Sequence, residues 1–172
     1  MLNIYKYSNS FPLLFKKEKN KLKKILGDSC LIEHIGSTAI VGIDGKGIID
    51  IMLVFSKKET IKIAVELLQK NGYFLANDKI ERKGRIFMSS TGTKESDFGD
   101  IHLHLTTKDN IDYLNAILFR DYLKKHLKEN KEYVDLKYQL LNNVNGNRAK
   151  YTELKSDFIK KIIDLAKKEL NN

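Results

Sequence analysis

The chain has 172 residues, 42% of them hydrophobic, and carries 31 lysines and arginines against 22 aspartates and glutamates, a formal charge of +9. That length suits one domain with a sizeable core and leaves little room for two. No run of 18 apolar residues is present to span a bilayer, no charged-then-apolar leader opens the chain, and a single cysteine, Cys30, excludes both an intrachain disulfide and a thiolate zinc cluster. The expectation is a cytoplasmic protein with no membrane partner, in which Cys30 serves as a small buried hydrophobe.

The positive excess is unevenly placed. Residues 1–30 carry seven basic and two acidic side chains, residues 31–106 ten of each, and residues 107–172 fourteen basic against ten acidic. A neutral centre with basic flanks fits a small phosphorylated ligand, a solvated lysine face or RNA. No zinc-finger, RRM or KH pattern accompanies it to favour sequence reading of nucleic acid.

In chain order, residues 1–12 form an arm or short strand containing Tyr5 and Pro12. Leu14, Phe15, Leu22, Ile25 and Leu26 recur at helical spacing over 13–26, with six lysines on the wet side and Gly27-Asp28 to end the helix. Two apolar runs of strand length, 31–35 and 48–55, flank a segment with glycines at 36, 42, 45 and 47. A helix follows over 57–71, from the spacing of Ile61, Ala64, Val65 and Leu68. Short strands are predicted at 73–76 and 85–88 around a charged turn, 77–84, and a last strand at 100–105 after the polar loop 89–99. Beyond Thr106 the spacing is helical over 110–126, 132–142 and 148–170, with a break at 143–147 containing Gly146. This order predicts an α/β fold of the α+β type with a mixed sheet. A single domain, 1–172, would comprise a strand-rich core, 31–106, and a helical flank, 107–172.

Acid lies where a core would not want it. Glu33 and Asp50 each interrupt an apolar strand, and such a carboxylate needs a partner, a metal or solvent. Alternation puts Asp50, Met52 and Val54 on one face and Ile49, Ile51 and Leu53 on the other. Gly36-Ser37-Thr38 follows the first strand directly; a glycine there lets a phosphate approach the backbone, and amides with two hydroxyls can cradle its oxygens, although the same residues also suit a plain turn cap. Lys46 can compensate phosphate charge, but GxxxxGK[ST] is absent. His102 and His104 share a strand face with Asp100 and can ligate a metal, hold phosphate or relay protons, or can sit as half-exposed strand histidines. His34 lies on the opposite face from Glu33. Arg82, Arg85, Arg120, Lys137, Arg148 and Lys155 are further anion contacts, each of which singly also reads as a surface ion-pair residue. Tyr133 with Lys137 and Tyr151 with Lys155 repeat a four-residue spacing that puts each pair on one helical face.

The run EHIGSTAIVG at 33–42 with KGIIDI at 46–51 resembles the signature of the GrpB family (UPF0157). The resemblance continues through Gly72-Tyr73, Arg85, His102 and His104, FRDYL at 119–123, Tyr133 with Lys137 and Tyr151 with Lys155. Proline is common in the family at the positions of Val41 and Gly47, and both prolines are missing here. The family is in turn similar to the nucleotidyltransferase superfamily resembling DNA polymerase beta, which implies a nucleotidyltransferase-like core with C-terminal helices. In that superfamily Gly36 and Ser37 match the turn that holds the triphosphate, and Asp50 matches the first acid of a metal-binding pair, whose second position is Met52 here. The resemblance thus implies Asp50, His102 and His104 as catalytic residues, and Gly36, Ser37, Thr38, Lys46 and Arg85 as phosphate contacts. It also implies a divalent metal, magnesium, manganese or zinc, on Asp50, Glu33, His102 and His104, with a nucleoside triphosphate as substrate and a small hydroxyl acceptor. Two alternatives stand beside it, a non-catalytic nucleotide- or RNA-binding protein and a metal-dependent phosphohydrolase built on Asp50, His102 and His104. The residues leave base preference, acceptor and oligomeric state open.

Overall fold

The computed structural model describes residues 3–75, 84–91, 98–143 and 148–171. Helix α1 (Phe11–Leu26) opens with Pro12 in its first turn, where a missing N–H breaks no helical bond, and buries Phe11, Leu22 and Leu26. Strand β1 (Cys30–Ile35) passes through Gly36 into a short 3-10 turn, Ser37–Ala39, and the loop beyond leads to β2 (Ile49–Phe55). Helix α2 (Lys58–Lys70) and strands β3 (Phe74–Leu75), β4 (Ile86–Ser89) and β5 (Ile101–Thr107) follow. The flank consists of α3 (Ile111–Lys125), α4 (Leu127–Asn143), α5 (Arg148–Leu154) and α6 (Ser156–Leu170). No described helix is long and apolar enough to cross a membrane.

The sheet order is β1-β2-β5-β4-β3, with β2 and β5 parallel and the other neighbours antiparallel. The interior strand β2 is covered on both faces and reads as an apolar run interrupted only by Asp50, whereas β5 alternates, with Ile101, Leu103 and Leu105 on one face and His102 and His104 on the other. On one face Ile32, Ile49, Ile51, Leu53, Leu103 and Leu105 pack with the buried residues of α1 and α2. On the other, Ile35, Met52 and Val54 meet Tyr113, Ala116 and Ile117 of α3. Asp50 stands in this second face, in register with Ile35 on one side and His102 on the other.

The loop between β1 and β2 is built into the helical flank. Ile40 and Ile43 are 0% and 1% exposed and pack with Leu123, Tyr133 and Ile162, a burial worth about 1.5–3 kcal/mol for each side chain. From the other side the N-terminal arm clamps the loop, Tyr5 and Gly45 exchanging backbone bonds of 2.7 and 3.0 Å.

The predicted elements are present, most with small shifts of their ends; β5 runs two residues further than its predicted end, to Thr107, and the helix predicted from 132 begins five residues earlier, at Leu127. One difference is substantial. The helix expected over 148–170 is two helices broken at Lys155, because Tyr151 packs in a cluster with Leu140 while Ile162 packs with Leu123 and Tyr133. The break 144–147, most of the charged turn 77–84 and, with it, the anion contact expected at Arg82 lie outside the described residues, as does the side chain of Arg148.

Candidate functional site

Asp50 is the centre of a carboxylate–imidazole cluster. Its Oδ1 lies 3.5 Å from Nδ1 of His102 and 3.4 Å from Nε2 of His104, and its side chain is 27% exposed. Burial pushes the Asp50 carboxyl up, but hydrogen bonds and charge from the two imidazoles prevail and hold it well below the usual carboxylate range. Burial pushes the His104 imidazole down against the pull of Asp50, and the Arg85 charge works in the same direction as burial. With Asp50 ionised, His104 Nε2–H is the donor, and its Nδ1 is then a buried acceptor with no hydrogen-bond partner among the described residues. Phe87 packs on both rings, its centroid 4.8 Å from His102 and 5.3 Å from His104.

The turn after β1 touches the carboxylate. Gly36 has φ +72° and ψ −172°, a conformation essentially confined to glycine. Thr38, which the sequence groups with Ser37 as a phosphate contact, has its hydroxyl turned into the protein. It is 1% exposed, donates to the Ile48 carbonyl at 3.0 Å and accepts from His34 Nε2 at 3.0 Å, so its hydroxyl is already used in holding the loop.

Three lysines gather beside this turn. A Cβ on Gly45 would overlap Ser37 Oγ and stand 3.6 Å from Lys137 Nζ, so the bare backbone of residue 45 lets these two groups come close. Lys137 is 3% exposed and donates to the Asp44 carbonyl at 2.6 Å, its ammonium lying 4.4 Å from the centre of the Tyr133 ring. Lys155 and Lys46 stand over the buried Tyr151 ring at 4.6 and 5.5 Å. Burial pushes the Lys137 ammonium well below the ordinary lysine value, and the charges of Lys155 and Lys46 add to this while Asp44 and Asp50 oppose it. Burial lowers Lys155 as well, opposed by Asp50. The Asp44 carboxylate itself is taken up by Lys6 at 2.9 Å, the Tyr7 amide at 2.9 Å and the Tyr138 hydroxyl at 2.9 Å.

The structure therefore brings together Asp50, His102, His104, Gly36, Ser37 and Lys46, with Arg85 near His104. It adds Lys137 and Lys155, which the sequence places only among scattered anion contacts. The repeated tyrosine–lysine spacing is the signal that marks them, since each lysine lies over the ring of its own tyrosine. Glu33 does not join the cluster. Its carboxylate is held by Arg120 Nη1 at 2.8 Å, and Arg120 also binds the His34 carbonyl at 2.9 Å and Asp121 through Nε at 2.7 Å.

These residues do not fit the paired-carboxylate metal centre that the resemblance implies. Met52, at the second acid's position, is fully buried with Ile35 and Val54, and Glu33 is neutralised by Arg120. Asp50, His102 and His104 are the side chains that could share one ion, but as placed their facing atoms are spent on one another. Among the described residues no group of three or more His, Cys, Asp and Glu side chains is arranged to hold a metal.

Residues 1–165 match the profile of the family described as GrpB protein. The Glutamate-rich protein GrpB of Alkalihalophilus pseudofirmus is 34% identical over 161 residues, 92% of this chain and 91% of that protein. The UPF0157 protein YqkA of Bacillus subtilis is 30% identical over 168 residues, 97% of this chain but 48% of its own length, so the chain spans about half of that relative. Conserved protein GrpB from Enterococcus faecalis, known from a crystal structure, is similar with a TM-score of 0.85 at 28% identity, covering 99% of this chain and 100% of that one. The Cid1 poly(U) polymerase is similar with a TM-score of 0.57 at 12% identity, over 87% of this chain and 48% of that one, a likeness of fold. The chain belongs to the GrpB family, and its mixed sheet with flanking helices is a nucleotidyltransferase-like fold.

Proposed function

We propose that the protein binds a nucleoside triphosphate, or a phosphorylated ligand of similar charge, with its phosphates among Ser37, Lys46, Lys137 and Lys155. The observation that carries this reading is Lys137. Its ammonium is 3% exposed, has one hydrogen bond among the described residues, to a neutral carbonyl, and is pressed by the charges of two more lysines. Buried positive charge in surplus is unfavourable by itself. A polyphosphate supplies both the opposite charge and acceptors for the two remaining N–H donors of Lys137.

A second reading, nucleotidyl transfer to a small hydroxyl-bearing acceptor, is favoured by the Asp50–imidazole cluster beside the turn. A carboxylate held ionised against a histidine orients the ring to take a proton from an attacking hydroxyl. The acceptor oxygen would bond to the α-phosphorus, the bond from that phosphorus to the bridging oxygen would break, and pyrophosphate would leave among the lysines. The acceptor proton would pass to His102, since the remaining ring nitrogen of His104 is buried.

Calorimetric titration with ATP, GTP, CTP, UTP and inorganic triphosphate, in EDTA and then with magnesium or manganese, tests the first reading. Saturable binding that is lost in Lys137→Met supports it; no binding under any of these conditions overturns it. Release of pyrophosphate that depends on an added alcohol and disappears in Asp50→Asn supports transfer. Release of orthophosphate without an acceptor would instead make the protein a phosphohydrolase. Binding of RNA that outcompetes every nucleotide, with strong salt dependence, would make it an RNA-binding protein.

A further inference from the structure

We propose that the outer flank of β1 carries a second binding site, for a small organic anion consisting of an apolar body with one carboxylate or phosphate monoester. A cavity of about 430 Å³ opens there between α1, β1 and α3, within the size range of small-molecule sites. None of Ser37, Lys46, Asp50, Lys137 and Lys155 lines it, so the proposal stands apart from the nucleotide reading.

Its walls divide into an apolar part and a cationic rim. Phe15, Ile32, Ala39 and Val41 contribute apolar surface, and Val41 is 71% exposed at the opening. The His34 ring extends this surface. It stacks on Phe15 at 4.5 Å with 11° between planes and is pinned by its bond to Thr38. Burial pushes its pKa down to about 4, so at neutral pH the ring is uncharged.

The lining carries a surplus of positive charge. Lys19, Arg120 and Lys124 against Glu33 give a formal charge of +2. Arg120 is spent, however, on Glu33, the His34 carbonyl and Asp121. Lys124 has no hydrogen bond and no ion pair within 4 Å among the described residues, although the charges of Asp121 and Glu33 act on it from further off, and the ammonium of Lys19 lies 5.6 Å from the centre of the Phe15 ring. A lining with two such ammonium groups and an apolar wall suits an anionic group on an apolar body. An extended polyphosphate would find too few cations, and the Thr38 hydroxyl is already taken up by His34 and the Ile48 carbonyl.

The test uses the full chain, labelled with nitrogen-15, and three probes of one shape: 2-naphthoate, 2-naphthyl phosphate and the uncharged 2-naphthalenemethanol. The expected result is saturable shifts of the His34, Ala39, Val41 and Lys124 amides with at least one anion, with the alcohol roughly fivefold weaker or worse. Lys19→Gln combined with Lys124→Gln, both on the rim, should weaken the anion about tenfold while the rest of the spectrum is kept, and Lys137→Met should leave it unchanged. Tighter binding of naphthoate identifies a carboxylate ligand, and tighter binding of the phosphate a phosphate ester; both support the site. No saturation to the solubility limit, equal binding of the alcohol, indifference to the double substitution, or shifts confined to Lys46 and Lys155 would each overturn it.

Discussion

A Cβ atom on Gly36 would stand 2.5 Å from Oδ2 of Asp50, so the turn after β1 and the carboxylate on β2 touch only because residue 36 has no side chain. The same glycine has φ +72° with ψ near 180°, where an L side chain is strained whatever the space. Gly36→Ala should therefore cost roughly 1–3 kcal/mol in urea denaturation. It should also displace Asp50 from His102 and His104, visible as shifted imidazole resonances. A variant as stable as the parent with unshifted imidazoles would show that the contact is dispensable.

Lys137 links the energetics of the flank to the proposed ligand. In Lys137→Met the side chain keeps its path over Tyr133 but no longer donates to the Asp44 carbonyl, a loss of about 1 kcal/mol. Relief of the buried charge offsets this, so the unfolding free energy should stay within about 1–2 kcal/mol of the parent, while triphosphate affinity falls at least about tenfold. The pH dependence has a definite sign. The unfolded chain carries lysine at the ordinary 10.5, whereas the folded chain releases the Lys137 proton at a lower pH. Between the two values the unfolded state holds more protons, so stability rises with pH there, and the rise should be shallower in Lys137→Met. A bound phosphate draws the proton back. Calorimetry in two buffers of different ionisation enthalpy should then show proton uptake on binding within that window, and its absence in the parent would count against Lys137 as a contact.

Local pattern reaches some of this architecture and stops at the rest for physical reasons. Period-two alternation is enough to put Asp50 with Met52 and His102 with His104 on single faces, since the opposite faces of β2 and β5 are filled by Ile49, Ile51, Leu103 and Leu105. The pairing of Asp50 with His102 depends on a parallel register that no short window contains. Glu33 illustrates the limit. Its acid on an apolar strand marks it as needing a partner, but that partner, Arg120, lies 87 positions away, and nothing near either residue distinguishes an arginine from a metal. Lys137 likewise looks like a surface residue on a helix until the Asp44 carbonyl, 93 positions earlier, is found at its tip. The break at Lys155 is hidden because both halves keep helical spacing and differ only in which cluster they face.

His34 gives a second pH effect, on the acid side. Burial holds its imidazole at about 4 with Asp50 opposing and Lys124 and Arg120 assisting, against 6.5 for an unperturbed histidine. As pH falls from about 6.5 through 4 the unfolded state takes up a proton that the folded state refuses, so the stability associated with neutral His34 is lost across that interval. His34→Gln, which can still donate to Thr38, should flatten the dependence of the urea midpoint on pH over the same range. Parallel curves for parent and variant would assign the acid sensitivity elsewhere.

Arg120 and Glu33 separate a structural role from a metal-binding one. Arg120 is 13% exposed and ties β1 to α3 through Glu33 and the His34 carbonyl. Its replacement in Arg120→Gln leaves the half-buried Glu33 without its cation and should cost about 2–3 kcal/mol. Glu33→Gln should cost less, about 1 kcal/mol, because Asp121 still pairs with Arg120. Neither change reaches Lys46, Lys137 or Lys155, so triphosphate affinity should stay within about threefold of the parent in both. The double variant closes a thermodynamic cycle whose coupling energy reports the pair directly. If Glu33→Gln left stability untouched but abolished manganese binding, measured by paramagnetic broadening of the His102 and His104 resonances, Glu33 would belong to the Asp50 cluster after all. A coupling of about 1 kcal/mol or more with unchanged ligand binding would assign it to the frame that holds β1 in place.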